Sequence, residues 1–119
     1  MSVNSSIDML QGYLKVLTDR QTMIASNMAN IDTPGYHTKD LNFQAAMRRV
    51  MDQDGSVSSA AFEPASSDTE GLPERPDGNN VSVDRESMLL AQTQLQFQLG
   101  VQLVKSQLHM VMSAIKEGN

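Results

Sequence analysis

Histidine and carboxylate are the side chains here that can move protons or hold a metal, and their spacing decides whether they do. The chain has two histidines, His37 and His109. A tightly held zinc ion needs three or four ligands at helical or loop spacing, and neither histidine has an Asp, Glu or second His so placed. His109 falls on a polar helical stripe and reads as solvated. His37 follows a turn and reads as exposed or as a polar contact. The carboxylates crowd into one stretch, where Asp52, Asp54, Glu63, Asp68, Glu70, Glu74 and Asp77 accompany a lone positive Arg75. So polar a segment cannot hold a pair of carboxylates in acid–base geometry. Absence of Cys excludes thiolate metal sites, Cys nucleophiles and disulfides. No glycine-rich phosphate loop and no nucleophile elbow occurs. The expectation is a non-enzyme with no catalytic residue, metal site or cofactor.

The 119 residues amount to one small domain at most. A net charge of −5 argues against a nucleic-acid partner, which would want a basic stripe. No run approaches the roughly 18 apolar residues of a membrane span. Met1-Ser2-Val3-Asn4-Ser5-Ser6 lacks the basic and apolar regions of a secretory signal, so no cleaved signal is expected. The nine methionines suit adaptable helix–helix contacts, or a helical core they simply fill.

The elements that position these residues are helices. Ile7, Leu10, Leu14, Leu17, Ile24, Met28 and Ile31 step by threes and fours, with Gln21 as the polar interruption. That is a coiled-coil seam. Ser5 or Ser6 is the expected N-cap of this helix, with Asp8 in its first turn. A short second helix is expected over Leu41 to Met51. From Asp52 to Asp77 the stretch is too polar to offset its ordering entropy, which predicts a loose arm, disordered in the free protein or else extended and held by neighbours. Asp77-Gly78-Asn79-Asn80 is a turn, Val81-Ser82-Val83 a brief extended entry, and Ser82 or Asp84 the cap of a last helix running to about Lys116.

That last helix carries two apolar stripes. Phe97, Val101, Val104, Leu108, Val111 and Ile115 form one, and Met88, Leu95, Leu99, Leu103 and Met110 lie roughly opposite. Ser87, Gln94, Gln98, Gln102, Lys105, His109 and Lys116 make the polar stripe. A monomer's surface helix normally has one apolar stripe. The first stripe is expected to meet the Ile7–Ile31 seam inside the subunit and the second to face other subunits, although the two can be exchanged. A monomer whose middle helix covers the second face is the competing arrangement. The expected fold is all-α: long N- and C-terminal helices packed as a coiled-coil-like hairpin, a short middle helix and a loose acidic arm. Its boundaries are 1–33 for the heptad helix, 34–51 for a corner and short helix, 52–80 for the arm, and 81–119 for the last helix.

The corner is the most informative stretch. Ala29-Asn30-Ile31-Asp32-Thr33-Pro34-Gly35-Tyr36 stops a periodic helix with Asn, pushes Thr33 to extended geometry, and places Pro34-Gly35 at the centre of a type II turn. Tyr36 then supplies an aromatic anchor. These residues resemble the Ala-Asn-x-x-Thr-Pro-Gly-Tyr motif of the rod proteins of the bacterial flagellum, matching every fixed position. Tyr36 to Phe43, Gly78-Asn79-Asn80-Val81, Asp84-Arg85-Glu86 and Ser113-Ala114-Ile115 are most similar to the proximal-rod branch. His37 and Asn42 depart from it, standing where a basic and an acidic residue are expected. The likeness covers both ends, all but roughly residues 50–76.

The resemblance implies a structural subunit of the basal-body rod, exported by the flagellar type III apparatus without a cleaved signal. Its terminal helices would build a helical tube that transmits torque. Implied partners are other copies, FlgC-like rod subunits, the adaptor FliE and the export apparatus. A small helical chaperone or adaptor of that export system is the alternative. It would have no use for the Thr-Pro-Gly-Tyr corner and would fold as a stable dimer.

Overall fold

The computed structural model describes residues 3–52 and 66–117. The chain is mostly helical, in the order α1 (Val3–Ala29), β1 (Lys39–Leu41), α2 (Phe43–Asp52), β2 (Ser66–Asp68) and α3 (Val83–Glu117). α1 and α3 form an antiparallel hairpin. Asn27 near the end of α1 lies beside Glu86 near the start of α3, and Gly100 lies against Tyr13 and Leu14. The molecule is accordingly elongated, 69 × 26 × 20 Å.

Helix starts follow capping chemistry, with one exception. Ser82 caps α3: its hydroxyl accepts from the Arg85 N–H at 3.2 Å and its carbonyl from the Glu86 N–H at 3.0 Å. The extended entry expected at Val81 to Val83 therefore ends a residue early, because Val83 is already helical. Asn42 caps α2 by accepting from the Ala45 N–H at 3.0 Å. Leu41, expected inside that helix, is instead the last residue of β1. The expected cap at Ser5 or Ser6 is not used, since α1 already runs from Val3. A serine inside a helix costs well under 1 kcal/mol, too little to stop an apolar heptad pattern.

α2 packs on α1, not on the second face of α3. Ala46 and Val50 of α2 join Val16 of α1 and Leu41 in the buried cluster, with Met9, Met23, Phe43 and Met47 against it. Tyr13 and Phe43 meet edge to face, centroids 5.9 Å apart. On the other flank of α1, Leu17 and Ile24 are buried.

The acidic arm expected over 52–80 divides. Residues 53–65 lie outside the described residues, whereas 66–80 departs from the loose course expected. β2 pairs antiparallel with β1, in the register Lys39↔Asp68, Asp40↔Ser67 and Leu41↔Ser66. Beyond it the Thr69 N–H donates to the Thr38 carbonyl at 2.8 Å. Order here comes from backbone pairing and side-chain hydrogen bonds, which a count of apolar residues does not register.

Candidate functional site

The corner begins where α1 runs out of intrahelical partners. The last carbonyls of any helix need donors from elsewhere. Asn30 stays tied to the helix, its Nδ2 donating to the Ser26 carbonyl at 2.8 Å. Thr33 donates from its hydroxyl to Asn30 Oδ1 at 3.0 Å. The Tyr36 N–H then closes a four-residue turn on the Thr33 carbonyl at 3.2 Å. Gly35 has φ +76°, the left-handed value that position requires.

The missing donors come from the segment before α3. Asn79, fully buried, donates through Nδ2 to the carbonyls of Asn30 and Thr33, both at 2.9 Å. The Arg75 guanidinium donates to the Ile31 carbonyl, and the Gly35 N–H to the Asp77 carbonyl at 2.9 Å. Asn80 continues the zipper, with its Oδ1 accepting from the Thr38 N–H at 2.6 Å. Residues 75–80 thus serve as the C-cap of α1, and they lead directly into α3. The corner and the start of the last helix are one unit.

A polar chain locks this unit to the hairpin. Asn27, buried on α1, accepts on Oδ1 from the Tyr36 hydroxyl at 2.9 Å and from the Lys39 N–H at 3.1 Å. Its Nδ2 donates to the Lys39 carbonyl at 2.8 Å and to Glu86 Oε2 at 3.2 Å. Glu86, fully buried, accepts on its other oxygen from Arg85 Nη1 at 2.7 Å. Arg85 and Arg20 both reach Asp40 Oδ2 at 3.2 Å. A buried carboxylate is tolerable only with such pairing. Tyr36 is therefore the anchor its type promised. Sequence reasoning named neither Asn27 nor Glu86 as a contact, although an Asn three residues after Ile24 sits where a buried polar residue would set helix register.

Gly35→Val isolates the role of the turn. A Cβ at Gly35 meets nothing within 4 Å, so the cost is purely conformational. It is expected to reach about 2 kcal/mol for a β-branched residue, read as a lower urea midpoint. Gly35→Asn should lose markedly less, because Asn tolerates left-handed backbone.

The α3 side of the hairpin runs along neither apolar stripe. Its buried residues are Glu86, Leu89, Thr93 and Gly100, a line lying between the two stripes and opposite the polar one. Small Thr93 and Gly100 let the helices approach closely. Of the seam expected on α3, Phe97, Val101, Val104 and Val111 are half-buried at the edge of the contact, while Leu108 and Ile115 are exposed. Of the expected α1 seam, Leu17 and Ile24 are buried, and Ile7, Leu10, Leu14 and Met28 half-buried. All of Met88, Leu95, Leu99, Leu103 and Met110 are open to solvent, from 46% at Leu103 to 68% at Leu95. Beside Leu99 and Leu103 an apolar groove of about 230 Å³ runs over α1, bounded by Met9, Leu10, Tyr13, Met47 and Gly100.

The histidines gather no metal site. His37 lies 3.1 Å from Glu74 through Nε2 and 3.9 Å from Asp68 through Nδ1, so the two carboxylates approach different ring nitrogens. His109 is exposed on α3. Among the described residues no cluster of three or more such side chains is placed to hold a metal, and no helix is long and apolar enough to cross a membrane.

Comparison with known proteins points to one family. Residues 14–37, the second half of α1 and the whole corner, match the family model for the flagella basal body rod protein. The chain is 31% identical to the flagellar basal body rod protein FlgB of Salmonella typhimurium, over 98% of this chain and 97% of that one. It is 33% identical to FlgB of Yersinia enterocolitica over 91% of each, and 28% identical to FlgB of Escherichia coli K12 over 98% and 97%.

Proposed function

Because the chain belongs to the FlgB family of flagellar basal body rod proteins, we propose that it assembles by presenting the open stripe of α3 to neighbouring subunits. It is a structural subunit of the basal-body rod, not an enzyme, and it joins with other rod components. The corner network holds the hairpin in the shape that carries the stripe. Neighbours cover Met88, Leu95, Leu99, Leu103 and Met110. Those neighbours are other copies, FlgC-like subunits and the adaptor FliE, reached after export through the flagellar apparatus without a cleaved signal. The packed helices then pass torque along the rod.

One observation carries this reading. Five large apolar side chains lie open on one stripe of a single helix, and long exposed apolar patches mark association surfaces. A hairpin with so much uncovered surface gains stability by mass action when subunits meet. That suits a part that must first travel unassembled.

Leu99→Asp tests it. The residue is exposed, so the free subunit should keep its helix content and reach the outside in normal amount. Swimming of a strain lacking the native gene should not be restored, because a charge would be buried in the contact at a cost of several kcal/mol. Normal motility and normal incorporation would remove Leu99 from the interface.

A further inference from the structure

The segment that caps α1 contains a chemically labile bond. In an Asp-Gly pair the glycine carries no Cβ to shield its amide nitrogen, and that nitrogen can attack the side-chain carboxyl before it. Asp77-Gly78 is such a pair, and Asp77 is open to solvent. The groups that would react are nonetheless engaged. The Gly78 N–H donates to the Arg75 carbonyl at 2.8 Å, and the Asp77 carbonyl accepts from the Gly35 N–H at 2.9 Å. The Asp77 carboxylate is held as well, its Oδ1 accepting from the Asn79 N–H at 2.9 Å. The two turns pack backbone against backbone, since a Cβ added at Gly78 would stand 3.3 Å from the Gly35 Cα.

We infer that Asp77 is a site of spontaneous isoaspartate formation guarded by the closed corner, so that the modification follows opening of the α1 cap and then prevents its closure. To react, the Gly78 nitrogen must leave the Arg75 carbonyl and give up its proton to water. It then forms a bond to Asp77 Cγ, a carboxyl oxygen departs as water, and a five-membered succinimide results. Water adds back at either ring carbonyl. Opening at the side-chain carbonyl restores aspartate, whereas opening at the main-chain carbonyl leaves the chain linked through Cγ, as isoaspartate. One water is released and one consumed, and no oxidant, reductant or cofactor takes part. The carbonyl that received the Gly35 N–H becomes a free carboxylate on a branch, and the main chain toward Asn79 lengthens by one methylene. With the two turns already in contact there is no room to absorb that atom. Asn79 then loses its place beneath the Asn30 and Thr33 carbonyls, and the end of α1 loses its donors.

Mass-spectrometric peptide mapping of the full-length chain, with an isoaspartyl methyltransferase as detecting reagent, follows residue 77 during incubation near neutral pH. Asp54-Gly55, a second such pair in the sequence, is resolved from it by fragmentation. Because reaction proceeds through the locally open turn, isoaspartate at residue 77 should form at least about tenfold more slowly in buffer than in denaturing urea. Asn79→Ala takes two hydrogen bonds from the cap and leaves the Asp-Gly pair itself unaltered. It should react several-fold faster than the wild type in buffer and at the same rate in urea. Arg75→Ala, which removes the donor to the Ile31 carbonyl, replaces it if Asn79→Ala does not fold. The isolated isoaspartate form should unfold at a lower urea concentration than its unmodified parent. Asp77→Glu, whose longer side chain would have to close a six-membered ring, should show no such loss after the same incubation. Equal rates in buffer and in urea overturn the guarding, as does a cap variant no faster than the wild type in buffer. Absence of isoaspartate at residue 77 in urea overturns the site, and an isoaspartate form with an unchanged midpoint overturns its coupling to the cap.

Discussion

Asn27→Ala should destabilise the free chain by about 3–5 kcal/mol, a large part of the 5–15 kcal/mol that holds a typical domain together. Asn27 touches the corner, the strand after it and α3 at once, through Tyr36, Lys39 and Glu86. Truncation removes four hydrogen bonds and leaves both backbone groups of Lys39 without that partner. Glu86, fully buried, keeps the Arg85 guanidinium but loses its amide donor. Asn27→Asp should fare no better, because it preserves shape yet removes the donor and sets a second carboxylate against Glu86. Tyr36→Phe gives the scale. It removes the hydrogen bond to Asn27 together with a long, exposed 3.5 Å contact to the Ser26 hydroxyl, and should cost about 1 kcal/mol. Urea unfolding followed by circular dichroism gives all three values; an Asn27→Ala loss no larger than that of Tyr36→Phe would show that the network is incidental.

Gly100→Leu should lower stability by about 3 kcal/mol, and the melting temperature by on the order of 15 °C. An added Cβ would stand 2.7 Å from a terminal methyl of Leu14 and 3.4 Å from the ring of Tyr13. Alanine is a milder case. The Leu14 methyl can swing away, and alanine gains about 1 kcal/mol of helix propensity over glycine, so Gly100→Ala should fall within about 1 kcal/mol of the wild type. Leucine cannot be accommodated that way, and its extra carbons drive α1 and α3 apart. Both variants are read by thermal melts. Equal tolerance of alanine and leucine would mean that the helices are not held at close range.

What could be read from the residues followed the physics that is local or periodic. Thr33-Pro34-Gly35-Tyr36 announces its turn because glycine at that position answers a steric requirement within four residues. The two long helices are legible because their apolar residues recur at threes and fours. Their exact pairing was not. Counting apolar side chains favours Phe97 and Val101 as the contact line, whereas close approach depends on the side chain that Gly100 lacks. In the sequence Asn79 stands out as part of a turn and of the rod-protein likeness, not as a cap, since its bonds to the Asn30 and Thr33 carbonyls join residues more than forty positions apart. The segment around it looked too polar to order for the same reason. Its order rests on donors meeting orphan carbonyls, a match visible only once α1 has ended in space. Asn27 and Glu86 lay hidden between more conspicuous apolar neighbours, although each stands on the buried side of its helix.

In the proposed assembly the open stripe of α3 is covered when the subunit joins the rod. The chain has no native cysteine, so Leu99→Cys creates a unique chemical reporter on that stripe. Labelling with a maleimide should be fast and complete on the free subunit. In basal bodies isolated from a strain that swims on this variant, the same thiol should be strongly protected and should react only after the rod is dissociated. Equal labelling of the free and the assembled subunit would rule out that coverage, because the stripe would then face solvent in the rod as it does in the isolated chain.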